Sequence, residues 1–253
     1  MTSIQPRQEP VNVICMKWGT KFGPEYVNIL HNMVQRYLAR PYRFVCLTDN
    51  NEGFNPGIES LPIPSAGPAD TNFAHGWRKL SMFASPLGHL EGMTLFLDLD
   101  VVIVDQLDPL FEYKPGEICV VRDYRPVRVR GDNFVGNTSV FRFNAGEDPQ
   151  VLADFIAAWD GDKAIYRNEQ EFLSHWFHSR GRLHHWPETW CPSFKHDCVS
   201  LGPLSYITTP KIPEGSKVIV FHGDPKPEDA LIGKGSKWYR HIRPTPWVAK
   251  YWR

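Results

Sequence analysis

The chain of 253 residues has no apolar run near the roughly 20 residues that a membrane-spanning helix needs. Residues 1–10 are polar, so no signal peptide is expected there. Cysteine is scarce. The five present are an odd number without a secretion signal, which points to a reducing, cytoplasmic setting. Cys15, Cys46 and Cys119 sit in apolar runs and read as small core residues. Cys191 and Cys198 lie near His184, His185 and His196 but match no paired zinc-ligand spacing. A surplus of one charge is missing too. Lys plus Arg and Asp plus Glu are 28 each, and a chain without excess cations is a poor general binder of nucleic acid. A glycine-rich triphosphate loop is also absent, because the segment MKWGTKFG after the first apolar run has no phosphate-loop spacing.

What is present suits one α/β domain. Hydrophobic residues make up 42% and charged residues 22%, so a sizeable core is available. Val11–Met16 is a buried strand by its β-branched content, and Val27, Leu30, Val34 and Leu38 mark an amphipathic helix over 25–39. Arg43–Thr48 is the next strand, which completes a βαβ unit and predicts a parallel sheet. Residues 54–70 read as a loop with a short strand near Leu61, and residues 72–85 as a helix turning Phe73, Leu80 and Phe83 inward. Further strands are expected at 94–97 running on through 104, at 117–122, 138–143 and 217–221, with helices at 151–159 and 169–177. The stretch between Gly181 and Lys217 reads as irregular. No repeat or linker appears, so residues 1–233 form one domain, followed by a basic, aromatic tail over 234–253.

Two segments carry chemistry. Asp98-Leu99-Asp100 follows a buried strand, and residues i and i+2 of an extended strand share a face. Two carboxylates aimed at one point suit a hard cation, Mn²⁺ or Mg²⁺, and in open α/β sheets ligands gather at such carboxyl ends. The bland alternative is a solvated strand end, which the apolar flanks weaken. His222-Gly223-Asp224-Pro225-Lys226-Pro227 follows the last strand. There a His can serve as a third ligand, a Gly lets backbone approach phosphate, and a Lys neutralises it.

The strand order, the LFLDLD segment and the late HGDPKP segment together resemble GT-A-fold glycosyltransferases, family 8 in particular, from Val11 to about Pro227. The resemblance implies a mixed, mostly parallel central sheet flanked by helices. It also implies transfer of a sugar from a nucleoside diphosphate sugar, a UDP-sugar, to an acceptor hydroxyl, with retention of configuration. By the same resemblance Asp98, Asp100 and His222 hold Mn²⁺, while Gly223 and Lys226 contact the donor diphosphate. Lys79, with Arg78 second, matches the family's basic helix, although both are also ordinary surface cations. Asn137 matches the element that touches the donor sugar, or is a plain turn into a strand. Glu169 and Gln170 match the first two residues of an Asp-Gln-Asp segment at the catalytic centre, although acids also favour a helix start. Asp49 and the loop 17–20 occupy the nucleoside's place, where Trp18 either stacks on a base or packs in the core.

The acceptor is expected to be a saccharide, free or lipid-linked as in surface glycan synthesis, near the aromatic segment 183–190. The rival readings are a sugar-nucleotidyltransferase, disfavoured by the missing phosphate loop, and a carbohydrate-binding module, which needs no aligned carboxylates. The tail alternates basic and aromatic residues without an acid, a mixture that suits the face of an anionic membrane or, equally, packing back onto the domain.

Overall fold

The computed structural model describes residues 9–70, 74–124, 134–160, 163–164, 166–235 and 240–253. Seven strands form the central sheet: β1 (Val11–Lys17), β2 (Tyr42–Thr48), β3 (Glu59–Leu61), β4 (Gly92–Leu97), β6 (Ile118–Arg122), β7 (Gly136–Ala145) and β10 (Leu183–His185). Their order is β10-β6-β7-β4-β1-β2-β3. β1 pairs in parallel with β2 and β4, β2 with β3 and β10 with β6, whereas β7 runs antiparallel to both β4 and β6. The expected mixed, mostly parallel sheet is therefore the one observed, and β1, buried along its whole length, is central to it.

Helices cover both faces. α1 (Pro24–Tyr37) buries Val27, Leu30, Met33 and Val34 at helical spacing against one core cluster. On the other face lie α3 (Gln150–Ala157), α4 (Glu169–His178) and the segment Ala74–Phe83. That segment was expected to be an α-helix over 72–85. It is a run of 3₁₀ turns instead, with Gly76 at φ +74° interrupting any regular helix. Leu80 and Phe83 are buried as expected, whereas Phe73 lies outside the described residues. The stretch after Gly181 is not wholly irregular, since β10 adds an edge strand through only three paired residues, too few to show alternation.

Two further strands build a small separate ribbon. β5 (Val101–Ile103) pairs antiparallel with β11 (Val218–Val220), with Val220 opposite Val101. The expected last strand thus belongs to this ribbon and not to the main sheet. α5 (Pro227–Ile232) follows and ends at Gly233 in the left-handed conformation. In the C-terminal segment Ile242, Thr245 and Val248 are buried, and α6 (Trp247–Tyr251) packs on α5 and β5. Arg36 of α1 donates to the carbonyls of Tyr251 and Arg253, and Trp252 meets Tyr26 edge-on. Trp238 and Tyr239 of the tail lie outside the described residues.

Candidate active site

β4 stops at Leu97, and Asp98-Leu99-Asp100 forms the turn into β5. The expected continuous strand is thereby corrected. The apolar residues on both sides read as one run, but Leu99 turns into the core and breaks it. Asp98 remains tied to the sheet, because its N–H donates to the Ser139 carbonyl at 2.8 Å. Asp100 sits at the mouth of the β5–β11 ribbon. The pairing of Val220 with Val101 brings the following loop, His222–Lys226, directly across from it.

Both carboxylates line a cavity of about 550 Å³ at the carboxyl ends of β1 and β4. Lys79, Asn137, Gln170, His222, Gly223 and Lys226 share that lining, as does Trp18. Each acid carries its own ammonium partner. Lys79 Nζ is 2.6 Å from Asp98 Oδ1 and 3.9 Å from Glu169 Oε1, and Lys226 Nζ donates to Asp100 Oδ2. Burial works against the charge of Lys79, yet Asp98 and Glu169 outweigh it and hold its pKa above the usual lysine value. Asp100 is pushed above the usual carboxylate range, first by burial and then by the charge of Asp98, with Lys226 opposing.

Glu169 and Gln170 separate at the first turn of α4, where the Asn168 side chain caps the helix by accepting from the Glu171 N–H at 3.0 Å. Gln170 faces the cavity. Glu169 is 2% exposed and lies beneath the wall, accepting from Thr138 Oγ1 at 3.1 Å while Oε2 has no hydrogen-bond partner among the described residues. A Cβ added at Gly76 would come within 3.2 Å of its carboxylate, so the glycine is the thin cover between Glu169 and the cavity. Burial raises the Glu169 pKa, with Lys79 pulling the other way.

Two expected donor-binding residues stand elsewhere. Arg78 Nη2 donates to the Asp70 carbonyl, and Asp49 accepts from the Gly19 N–H at 2.9 Å, tying down the loop after β1. Neither lines the cavity. Asn137 lies inside β7 and is no turn residue, and its Oδ1 accepts from the Ser139 N–H. Lys21, Phe22, Gly76 and Phe96 also line the cavity without having been singled out in the sequence. Phe22 lies in a short loop that carries no periodicity to mark it.

For a divalent cation, Asp98 and Asp100 fit, being two carboxylates that repel across one cavity. His222 does not fit as it stands. Its Nε2 is 2.8 Å from Ser193 Oγ, its ring stacks on Tyr124 at 4.8 Å, and Lys195 holds its carbonyl. Among the described residues no three Asp, Glu, His or Cys side chains stand together closely enough to hold a metal in this arrangement. Gly223 has φ +75°, which favours glycine where the loop turns back toward the cavity. A second cavity of about 210 Å³ adjoins through Tyr124, with Arg122, Trp186, Pro187, Glu188 and Cys191 in its lining.

The fold is that of GT-A-type glycosyltransferases. Among solved structures, the galactosyltransferase LgtC in complex with donor and acceptor sugar analogs is similar with a TM-score of 0.59, at 15% identity over 85% of this chain and 88% of that one. An active-site mutant of LgtC gives a TM-score of 0.53 at 14% identity, over 85% and 89% of the two chains. The bifunctional glycosyltransferase WbbM in its apo form gives 0.56 at 13% identity, covering 98% of this chain but 52% of its own. No family model matches the chain, and no curated protein matches it.

Proposed function

We propose that the chain is a glycosyltransferase that moves a sugar from a nucleoside diphosphate sugar, a UDP-sugar, onto an acceptor hydroxyl with retention of configuration. The observation that carries this reading is the alternation of Asp98, Lys79, Asp100 and Lys226 around one cavity, beside an aromatic wall of Trp18 and Phe22. Such a wall suits a flat base, and the lysines suit a diphosphate.

Asp98 and Asp100 would hold Mn²⁺ or Mg²⁺, with His222 as third ligand once it leaves Ser193. Lewis-acid stabilisation of the charge that grows on the leaving diphosphate is the chemistry a bound cation supplies there. Lys226 is released from Asp100 in that state and turns its ammonium to the diphosphate. Gly223 lets the backbone approach the same oxygens. Asn137 contacts the sugar, and Lys79 holds Asp98 in place from behind. Asp49 bears on the nucleoside only through the Gly19 loop that it fixes. Arg78 has the same indirect standing.

Gln170 stands where the anomeric carbon is expected. A neutral amide is a poor nucleophile, so the acceptor hydroxyl attacks from the leaving-group side and its proton passes to the departing phosphate. Gln170 steadies the positive charge that develops. Glu169 has no open path to that carbon and acts through Lys79. The acceptor, a saccharide or lipid-linked saccharide, enters from the second cavity beside Tyr124, where part of the expected 183–190 segment lies.

Calorimetric titration with UDP, with and without Mn²⁺, tests the class. Cation-dependent binding supports it, whereas a carbohydrate-binding module leaves the nucleotide unbound. NMR of the first product from a donor of known configuration tests the stereochemistry, and an inverted product would overturn the front-side route.

A further inference from the structure

Six large apolar side chains among the described residues are more than two-fifths exposed, and four of them fall in one seven-residue stretch: Leu201 (75%), Leu204 (57%), Tyr206 (52%) and Ile207 (71%). This stretch is a 3₁₀ turn, Gly202–Tyr206, in which the usual arrangement is inverted. The polar Ser205 is buried, donating to the Gly202 carbonyl at 2.7 Å, and Thr208 donates to the Leu204 carbonyl at 2.7 Å. The leucines and isoleucine therefore point to solvent because the turn's own polar groups are satisfied inside it. Isolated exposed apolar residues need no explanation, but a cluster on a single turn does.

The turn is joined to the C-terminal segment. Arg243 donates to the Tyr206 carbonyl at 2.9 Å, the His241 N–H donates to Ser205 Oγ, and the His241 ring stacks on Tyr206 at 4.7 Å. Trp247 Nε1 donates to the Pro210 carbonyl, which fastens α6 to the chain leaving the turn. Residues 198–213 and 230–253 contain no Asp or Glu. The apolar turn thus lies in one acid-free segment and is joined to another, and between them they carry Lys211, Arg240, Arg243, Lys250 and Arg253.

We propose that this face docks on an anionic lipid bilayer, with Leu201, Leu204 and Ile207 inserted at the headgroup boundary and the cations on lipid phosphates. Charge complementarity decides the occupant. Two joined segments that carry cations and no acid match a surface of uniform negative charge, and the exposed apolar side chains of the turn match the hydrocarbon just beneath it. Trp247 is partly buried and fastens to the Pro210 carbonyl beside the turn, and Trp252 packs on Tyr26 of α1, so the lipid contact lies in residues 201–207 and not in the tail's own rings.

Co-sedimentation of the full chain with vesicles tests the proposal, using phosphatidylcholine alone and phosphatidylcholine mixed with phosphatidylglycerol. Binding should require the anionic lipid and weaken with salt. Leu204→Asp with Ile207→Asp, and separately Lys211→Glu with Lys250→Glu, should each weaken it by about tenfold or more. Thermal melting checks that both variants keep the fold, and Leu204→Ser with Ile207→Ser replaces the first should it melt early. Equal binding to neutral vesicles, or variants that bind like the parent, would overturn the proposal. So would a concentration-dependent dimer that the apolar substitutions abolish while vesicle binding stays unchanged, since the face would then belong to a second copy.

Discussion

The two lysine–aspartate pairs of the cavity use the same chemistry in different mountings. Lys79 comes from a core segment, is about as buried as its surroundings, and is shared between Asp98 and the enclosed Glu169. Lys226 comes from a loop between β11 and α5, and its ammonium pairs with Asp100. The first pair is part of the wall, because its cation holds two acids at once, Asp98 and the enclosed Glu169. The second is an exchangeable closure, because its cation rides on a loop and holds a single acid. Charge balance in the cavity is therefore shared between one fixed cation and one that can give way to ligand.

The largest expected effect falls on the exchangeable side. Asp100→Ala should abolish donor turnover, a loss of several kcal/mol of transition-state stabilisation, while the melting temperature barely changes because Lys226 turns to solvent. Wild-type turnover of this variant in the presence of a chelator would sink the metal reading. The fixed side should fail in the opposite sense. Lys79→Met leaves Asp98 and Glu169 uncompensated and should cost about 3–5 kcal/mol of stability. In thermal unfolding that is a drop of roughly 10 °C for a chain of this size. Lys226→Met leaves one uncompensated acid, Asp100, where Lys79→Met leaves two, and should cost less, about 1–3 kcal/mol. If the two lysine variants melt alike, the distinction is wrong.

Gln170→Ala probes the space between the pairs. It should slow turnover by roughly one to three decades, the usual cost of losing one electrostatic stabiliser, without altering UDP affinity. Trapping a glycosyl adduct on Glu169 would replace this mechanism by double displacement.

The smallest effect is a control remote from the cavity. Asp108, in the first turn of α2 (Asp108–Glu112), accepts from the N–H groups of Ala39 and Arg40 and pairs with the Arg40 guanidinium. Burial raises its pKa, but these donors outweigh burial and hold it below the ordinary carboxylate value. A depressed folded pKa means that its contribution is complete above about pH 4, the unfolded value, and is lost as pH falls through the folded one. Asp108→Asn should therefore cost about 1–2 kcal/mol at neutral pH, and the gap to the parent should close on acidification. Chemical denaturation at pH 7 and pH 3 checks this, and a gap independent of pH would show that the carboxylate's charge is not what matters.

The βαβ start, the main strands and the two site segments were legible because each is a run of apolar residues that ends in polar ones of a distinctive kind. The D-x-D turn was not, since Leu99 continues the apolar pattern that a strand would show. The 3₁₀ segment was misread for a related reason: Trp77, Leu80 and Phe83 recur at a spacing of three, which serves either helix type, and only the φ of Gly76 decides. Lys79 and Lys226 were singled out in the sequence, and both line the cavity. Their pairing with Asp98 and Asp100 was not, because it depends on contacts across 19 and 126 residues of chain. Ser193, which holds His222, is likewise brought there by a single bridge to Val220. Periodicity reports on neighbours within an element and is silent about such closures.

The β5–β11 ribbon has a consequence for how the protein is made. Most of the central sheet, with both aspartates in place, is encoded before residue 146, whereas β11 and Lys226 leave the ribosome some seventy residues later. At the pace of synthesis the nascent domain spends several seconds, on the order of 5–15, with Asp100 enclosed beside Asp98 and its ammonium not yet made. During that interval the half-built cavity is a net anion that a free cation can occupy. Arrival of the ribbon's second strand ends the interval, and the order of translation alone makes the fixed wall older than its closure.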